Sequence, residues 1–410
     1  MRTRQLTPSR RFLARLALVA TIALGIRLLY VLVLSPEPVG VGGDAGFYHS
    51  AANLIADGHF YYRGIFGHHY ATAEHPPMFS LLLSVVSLLG GVSLEAHRIA
   101  GCVIGVLSVG AIGLLGRETF GERAGLTAAA VAAVYPPLIT ADGLVMSEPL
   151  FVLGVASALL LAARMRGRPT PASCALLGAV IGLCTLTRSE GLLLIVLLGL
   201  PAVWGIRTGR PLRLLALVLA AALVLAPWVI RNAVRFDRLM LAGDANTVIA
   251  GANCRQTYFG PDIGWWSPAC LQRSRTRAQL LAGDASTATA FRYAGDHVSR
   301  LPLVAAVRLL RTFDLYQPLR QGNREPRRRW VDVLGLLLYF PVLLLAAVGL
   351  RRLARRRWLW LAPIWMVVVV SALGWGIGRF RVAADVSLIV LAAAAISGRG
   401  AIRGARAADA

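Results

Sequence analysis

Charged side chains are scarce in this 410-residue chain. They make up 15% of it, against roughly a quarter in an ordinary globular domain, which excludes a soluble enzyme with a conventional aqueous surface. Lysine is absent, so all 43 fixed positive charges are arginine, and acidic residues number only 20. Cysteines are few: Cys102, Cys174 and Cys184 fall inside apolar stretches, Cys254 and Cys270 in a polar one. Only the last pair is a disulfide candidate. What the chain has in abundance is apolar residue, 57% of the total, with a mean hydropathy of +0.63. The formal charge of +23 raises the question of nucleic acid. The arginines, however, fall in short clusters between apolar runs of about 15 to 23 residues, which is how a polytopic membrane protein distributes charge. Membrane lipids are the expected surroundings, and no nucleic-acid partner is expected.

Apolar runs lie near 12–34, 77–91, 98–116, 124–141, 149–164, 172–187, 190–206, 212–230, 333–350, 358–376 and 382–397. The first is too long for a signal-peptide core and reads as an uncleaved transmembrane helix. Arginine clusters at the N-terminus, Arg117/Arg123, Arg164/Arg166/Arg168, Arg207/Arg210/Arg213, Arg351/Arg352/Arg355/Arg356/Arg357 and Arg399/Arg403/Arg406 all belong in the cytoplasm by the positive-inside rule. That holds only if one run does not cross. The run 77–91, opened by Pro76-Pro77 and closed by Gly90-Gly91, is the short one and suits a juxtamembrane segment. The expectation is an all-α polytopic bundle of about ten crossings plus that segment, with both termini inside. Residues 1–230 form a transmembrane module with a first external loop at 35–97, residues 231–332 an external loop region, and residues 333–410 the last helices and a cytoplasmic tail.

The polar residues gather on the outer face. Asp44, in Gly43-Asp44-Ala45-Gly46-Phe47-Tyr48-His49, follows the first crossing. It either caps a helix through Tyr48 and Asn53 or serves as a general base at the membrane surface. Glu74-His75-Pro76-Pro77 joins a carboxylate to an imidazole. With His49, His59, His68 and His69 in the same loop a divalent metal is conceivable, but the spacing matches no standard zinc pattern, so no metal or cofactor is required. Glu148 opens a crossing after a short outer turn, as a functional acid at membrane depth or as a helix-dipole partner. Arg188, Arg231, Arg379 and Arg381 are exceptions to positive-inside. Several cations at one depth make an anion site, for a lipid-linked phosphate or for anionic lipid in general. Cys254 and Cys270 bracket Tyr258, Trp265 and Trp266 in the long loop.

Gly43-Asp44-Ala45-Gly46-Phe47-Tyr48, Glu74-His75-Pro76-Pro77, Arg98 before a crossing that ends in Gly116-Arg117-Glu118-Thr119-Phe120-Gly121, the Glu148 turn and Gly182-Leu183-Cys184-Thr185-Leu186-Thr187-Arg188 together resemble the GT-C integral membrane glycosyltransferases. The likeness is to the branch of protein O-mannosyltransferases and lipid A aminoarabinose transferases. Pro227-Trp228-Val229-Ile230-Arg231-Asn232 and Gly251-Ala252-Asn253-Cys254 are similar to actinobacterial members of glycosyltransferase family 39. The likeness covers about residues 12–260, and Arg379-Phe380-Arg381 adds a weaker match. It implies an inverting transfer of sugar from a polyprenyl-phosphate donor to a hydroxyl of a protein, lipid or glycan, outside a bacterial plasma membrane. Asp44 matches the acid that activates the acceptor, and Glu74 and Glu148 match further acids. Arg188 matches the phosphate-binding residue, with Arg231 or Arg379 assisting. Tyr48, His75 and Arg381 complete the expected binding set, and Trp265 or Trp266 would stack on a sugar. Ala45 stands where a mannosyltransferase has a second carboxylate, and Glu148 where relatives often have Asp. The rival reading is a lipid or glycan transporter or flippase. Against it, the acids lie in loops at one face rather than at the midplane, and no inverted repeat is visible.

Overall fold

The computed structural model describes residues 8–35, 43–65, 68–165, 169–204, 209–271, 284–321, 329–353 and 357–398. Of the arginines used to orient the runs, Arg2, Arg4, Arg166, Arg168, Arg207, Arg355, Arg356, Arg399, Arg403 and Arg406 lie outside the described residues.

Apolar runs become helices where local signals start and stop them. Helix α1 (Arg10–Leu29) is capped by the Ser9 side chain, which accepts from the Phe12 amide, and runs on through a π-helical turn to Leu34. The first loop holds α2 (Asp44–Ala56), a hairpin of β1 (Tyr62–Ile65) and β2 (His68–Ala71), and α3 (Met78–Leu88). Helix α3 packs on α2. Its 11 residues span about 16 Å, well short of a hydrocarbon core of roughly 30 Å. Then come α4 (Leu94–Phe120), α5 (Glu122–Val134), α6 (Pro136–Gly143), α7 (Glu148–Met165) and α8 (Pro171–Thr187). The run predicted as one piece over 124–141 is broken, because Pro136 and Pro137 end α5 and restart α6 at an angle of 56°. The run predicted over 190–206 is a 3-10 turn, a π turn and the short α9 (Leu200–Trp204). Helix α10 (Arg210–Phe236) follows.

The external region holds α11 (Ala245–Ala252), α12 (Arg255–Tyr258), α13 (Asp284–Asp296), α14 (Leu301–Thr312) and α15 (Pro318–Gln321). The chain closes with α16 (Arg329–Arg352), α17 (Arg357–Leu373) and α18 (Val382–Ile396). Five described helices are long and apolar enough to cross a membrane, or six with the bent α5–α6 pair counted as one. Helices α8 and α17 and the 189–204 stretch are apolar but shorter.

Helix α18 is the axis of the bundle. Every residue from Val382 to Ala394 is buried, against α16, α17, α5 and α7. Small residues let backbones close up elsewhere: a Cβ on Gly125 of α5 would stand 2.6 Å from the Gly113 carbonyl of α4. Helices α4 and α7 end, and α5 begins, at the same end of the bundle. Arg117, Glu118, Glu122 and Arg164 therefore meet at one end, and the polar loops meet at the other.

Three contacts dock the external region on that second end. The Gly243 amide donates to the Ala73 carbonyl at 2.6 Å, and the Gly376 amide to the Gly264 carbonyl at 2.9 Å. Arg308, 3% exposed, bridges by donating to the carbonyls of Ala252 at 2.7 Å and Ala372 at 3.0 Å. Cys254 and Cys270 are joined as a disulfide across this region.

Candidate active site

Gly43, at φ +73° where an L side chain is strained, turns the chain into α2 and sets Asp44 in its first turn. The Asp44 carboxylate is directed across the site and not back over its own helix. Its Oδ2 accepts from Arg379 Nη2 at 3.0 Å, and its Oδ1 faces His75 Nε2 at 3.6 Å. The capping partners expected for it are engaged elsewhere: Asn53 with Ser87 and the Val92 carbonyl, and the Tyr48 ring stacked on His75 at 5.1 Å. The Tyr48 hydroxyl meets Ser147, and burial pushes its pKa well up, so it stays a neutral phenol.

His75 Nδ1 donates to Asp244 Oδ2 at 3.1 Å. Burial would strip its charge, but the hydrogen bonds and charges of Asp244 and Asp44 outweigh burial and raise its pKa to about 9. It is an imidazolium at neutral pH. Burial likewise works against ionisation of Asp44, yet His75 and Arg379 overcome it and hold the carboxyl well below the usual carboxylate range.

On its other side Arg379 approaches Glu148, its Nε 3.6 Å from Oε1. Glu148 opens α7 with its side chain 3% exposed, and the same Oε1 accepts from Arg188 Nη1 at 3.0 Å. Arg188, at the C-cap of α8, also donates to Glu190 Oε1 at 2.5 Å and to Ser147 Oγ at 3.3 Å, under the ring of Phe380. A small cavity lined by Phe151, Glu190, Met366, Val367, Val370 and Phe380 opens beside it. The site is thus one run of alternating charge: Asp244, His75, Asp44, Arg379, Glu148, Arg188, Glu190.

Three residues expected at the site are elsewhere. Glu74 is ion-paired with Arg63 on the hairpin, and only its carbonyl reaches the site, accepting from the Asp244 amide at 3.3 Å. Arg231 is spent on the first loop, donating to the carbonyls of Thr72 at 2.7 Å and Tyr61 at 3.2 Å over the rings of Trp228 and Phe236. Arg381, 3% exposed, is clamped between Asp314 at 2.5 Å and Asp385 at 3.1 Å over Tyr339. Glu74 meets the Arg63 guanidinium first, and the two arginines meet nearer carbonyls or carboxylates first. Trp265 is 1% exposed under Arg311, whereas Trp266 is half-buried, donates to the Thr247 carbonyl at 3.1 Å and lies in a row with Trp375 and Phe380. Among the described residues no three metal-ligating side chains gather. His49 pairs with His97 and His59 with His69, and the His68 side chain lies outside the described residues.

Asp244 joins the run of charge through His75 without standing out in the sequence. A faint signal existed, since Gly243-Asp244-Ala245 before α11 repeats Gly43-Asp44-Ala45 before α2. The triplet occurs a third time at Gly283-Asp284-Ala285, so it does not single Asp244 out.

An apolar helical bundle with ionised loops joined at one end defines the class: an integral membrane protein with the GT-C fold. Within it, residues 74–230 match the model of the dolichyl-phosphate-mannose-protein mannosyltransferase family, a stretch containing His75, Glu148 and Arg188. Among solved structures, the oligosaccharyltransferase AglB of Archaeoglobus fulgidus, in complex with an inhibitory peptide and a dolichol-phosphate, is 18% identical with a TM-score of 0.51, over 95% of this chain and 50% of that one. The apo form of the Archaeoglobus fulgidus oligosaccharyltransferase gives 16% and 0.57, over 94% and 50%. ArnT from Cupriavidus metallidurans bound to undecaprenyl phosphate gives 16% and 0.47, over 95% and 78%. The chain spans about half the length of the archaeal structures. Comparison with curated proteins by sequence finds no match.

Proposed function

We propose that this protein is an inverting glycosyltransferase that moves a sugar from a polyprenyl-phosphate donor to an acceptor hydroxyl, at the outer face of a bacterial plasma membrane. The observation that carries the reading is the placement of Asp44, a 37% exposed carboxylate held 3.0 Å from Arg379 at the loop end of an apolar bundle. The family match and the dolichol-phosphate held by AglB support the donor class.

In this reading the acceptor oxygen attacks the anomeric carbon from the face opposite the phosphate, and Asp44 takes its proton. The bond from the anomeric carbon to the phosphate oxygen breaks, and the electron pair leaves with the polyprenyl phosphate. Arg379 and Arg188 neutralise that charge as it develops, which is where fixed donors contribute most. Phosphate leaves well without a general acid. Glu148, locked between the two arginines, holds them at the spacing of one anion, and Trp266, Trp375 and Phe380 offer apolar faces to a sugar. The acceptor is a protein, lipid or glycan. The site draws on all three proposed segments, 1–230, 231–332 and 333–410, through Asp44, Asp244 and Arg379.

The test is transfer from radiolabelled polyprenyl-phosphate mannose and polyprenyl-phosphate arabinose by membranes containing wild-type or Asp44→Asn protein. Transfer by the wild type that drops about a hundredfold or more in the variant supports the reading and names the sugar. No transfer from either donor, in a protein shown to be folded, counts against these two donors and favours a transporter.

A further inference from the structure

The arginines that would hold a donor phosphate are already occupied. Arg188 donates to Glu148, Glu190 and Ser147, and Arg379 donates to Asp44. Four carboxylates, Asp244, Asp44, Glu148 and Glu190, stand against three cations, His75, Arg379 and Arg188. The run therefore carries one net negative charge, and an incoming phosphate is repelled unless a carboxylate gives way.

The geometry singles out which one yields. Nε and Nη2 lie on one edge of the Arg379 guanidinium. Nη2 holds Asp44, while the buried Nε has no hydrogen-bond partner among the described residues and stands 3.6 Å from Glu148. That edge suits two oxygens of one anion, and the resting contacts fill half of it. Glu148 is 3% exposed and pinned from Arg188, and Glu190 is held by Arg188 at 2.5 Å. Asp44 is 37% exposed and bound to Arg379 through a single N–H. It is the carboxylate with the least to lose by swinging into solvent.

Resting on the donor reading above, we propose that the donor's phosphate displaces Asp44 from Arg379, so that donor binding itself releases the catalytic base. Before the donor arrives, Arg379 stabilises the carboxylate and makes it a poor acceptor of protons. Once phosphate occupies both nitrogens of the edge, Asp44 keeps His75 as its neighbour, loses the guanidinium, and faces a newly arrived negative charge. Its affinity for a proton rises at the point where the acceptor hydroxyl must lose one. The base is idle until the sugar it serves is bound.

The decisive measurement needs no turnover. Affinity for polyprenyl phosphate, and for the matching uncharged polyprenol, is measured for the full-length protein in lipid nanodiscs as wild type, Asp44→Asn, Asp44→Ser, Arg379→Gln and the Asp44→Asn/Arg379→Gln double variant. Removing the competing charge is expected to tighten polyprenyl phosphate by about tenfold, within the usual range for coupled sites. Asp44→Ser is expected to do the same, polyprenol binding to stay unchanged, and the gain to vanish in the Arg379→Gln background. Wild-type binding that is equal or tighter than that of both Asp44 variants overturns the displacement and leaves the donor reading standing. An equal gain for polyprenol also overturns it, because the effect is then not one of charge. A wild type that binds polyprenol and polyprenyl phosphate alike, or neither, overturns the donor reading and this inference with it.

Discussion

Asp44 and Arg379 stand 335 positions apart in the chain and 3.0 Å apart in the structure. The contact ties the loop after the first helix to the turn before the last one. Because Arg379 also approaches Glu148, it joins the acid of the first loop to the acid–arginine pair at the tops of α7 and α8. Each charge in the run is held by its neighbours, so altering a member is felt beyond its own contact.

Asp244 touches the charge run through His75. Asp244→Asn removes the carboxylate that orients and charges the imidazole, so transfer is expected to fall by about ten- to a hundredfold, the scale of a misplaced catalytic group. The alkaline limb of the pH–rate profile is expected to move to lower pH, because His75 loses the partner that raises its pKa. A profile of unchanged shape at reduced height would assign Asp244 a packing role alone.

The charge on His75 gives stability a pH dependence. Its folded pKa, about 9, lies above the ordinary 6.5, so the imidazolium favours the folded state. That contribution is complete below about 6.5 and is lost as pH rises through about 9. The thermal midpoint of the purified protein is expected to decline over that window, and His75→Gln to flatten the decline. A slope of equal size in the variant would place its origin in other groups.

A buried ion pair fixes α1 to α6. Arg27, fully buried, donates from Nε to Asp142 Oδ2 at 2.7 Å and reaches the carbonyl of Ala133 at 3.1 Å. Arg27→Met leaves Asp142 buried without its cation and is expected to cost about 3 to 5 kcal/mol, much of it recovered in Arg27→Met/Asp142→Leu. Gly105→Ala probes the same pair, since its Cβ would fall 2.0 Å from Asp142 Oδ2. Unfolding monitored in mixed micelles measures all three.

The disulfide Cys254–Cys270 closes a loop of sequence separation 16. Opening one of that size is expected to lower stability by about 3 kcal/mol, and a reducing agent should lower the thermal midpoint of the wild type and leave Cys254→Ser/Cys270→Ser unmoved. Gly251→Ala disturbs the same region by another route, as its Cβ would meet the Trp266 ring at 2.1 Å. An unchanged midpoint on reduction would show that α11 and α14 hold the region without the bond.

Helical embedding was legible because it is local. A run such as 98–116 buries its backbone hydrogen bonds within itself and its side chains in lipid or in neighbouring helices, so hydropathy over about twenty residues is enough to place it. Glu148 and Arg188 were legible for a related reason: a charge between two apolar runs must sit at a helix end, and those ends lie on one face. The break between α5 and α6 was written in Pro136-Pro137, although the sequence alone did not show that helix resumes beyond it.

The sequence by itself determined that the chain lies in a membrane as a helical bundle, and which polar residues face one side of it. Tertiary structure alone decided how those residues are shared out. Arg231, Arg379 and Arg381 look alike in the chain, yet Arg231 is taken by carbonyls of the first loop and Arg381 by Asp314 and Asp385, which leaves Arg379 to Asp44. The reason is range: hydropathy acts between neighbours in sequence, whereas a guanidinium pairs with whatever acceptor the packed helices bring within about 3 Å, and that partner can lie hundreds of residues away.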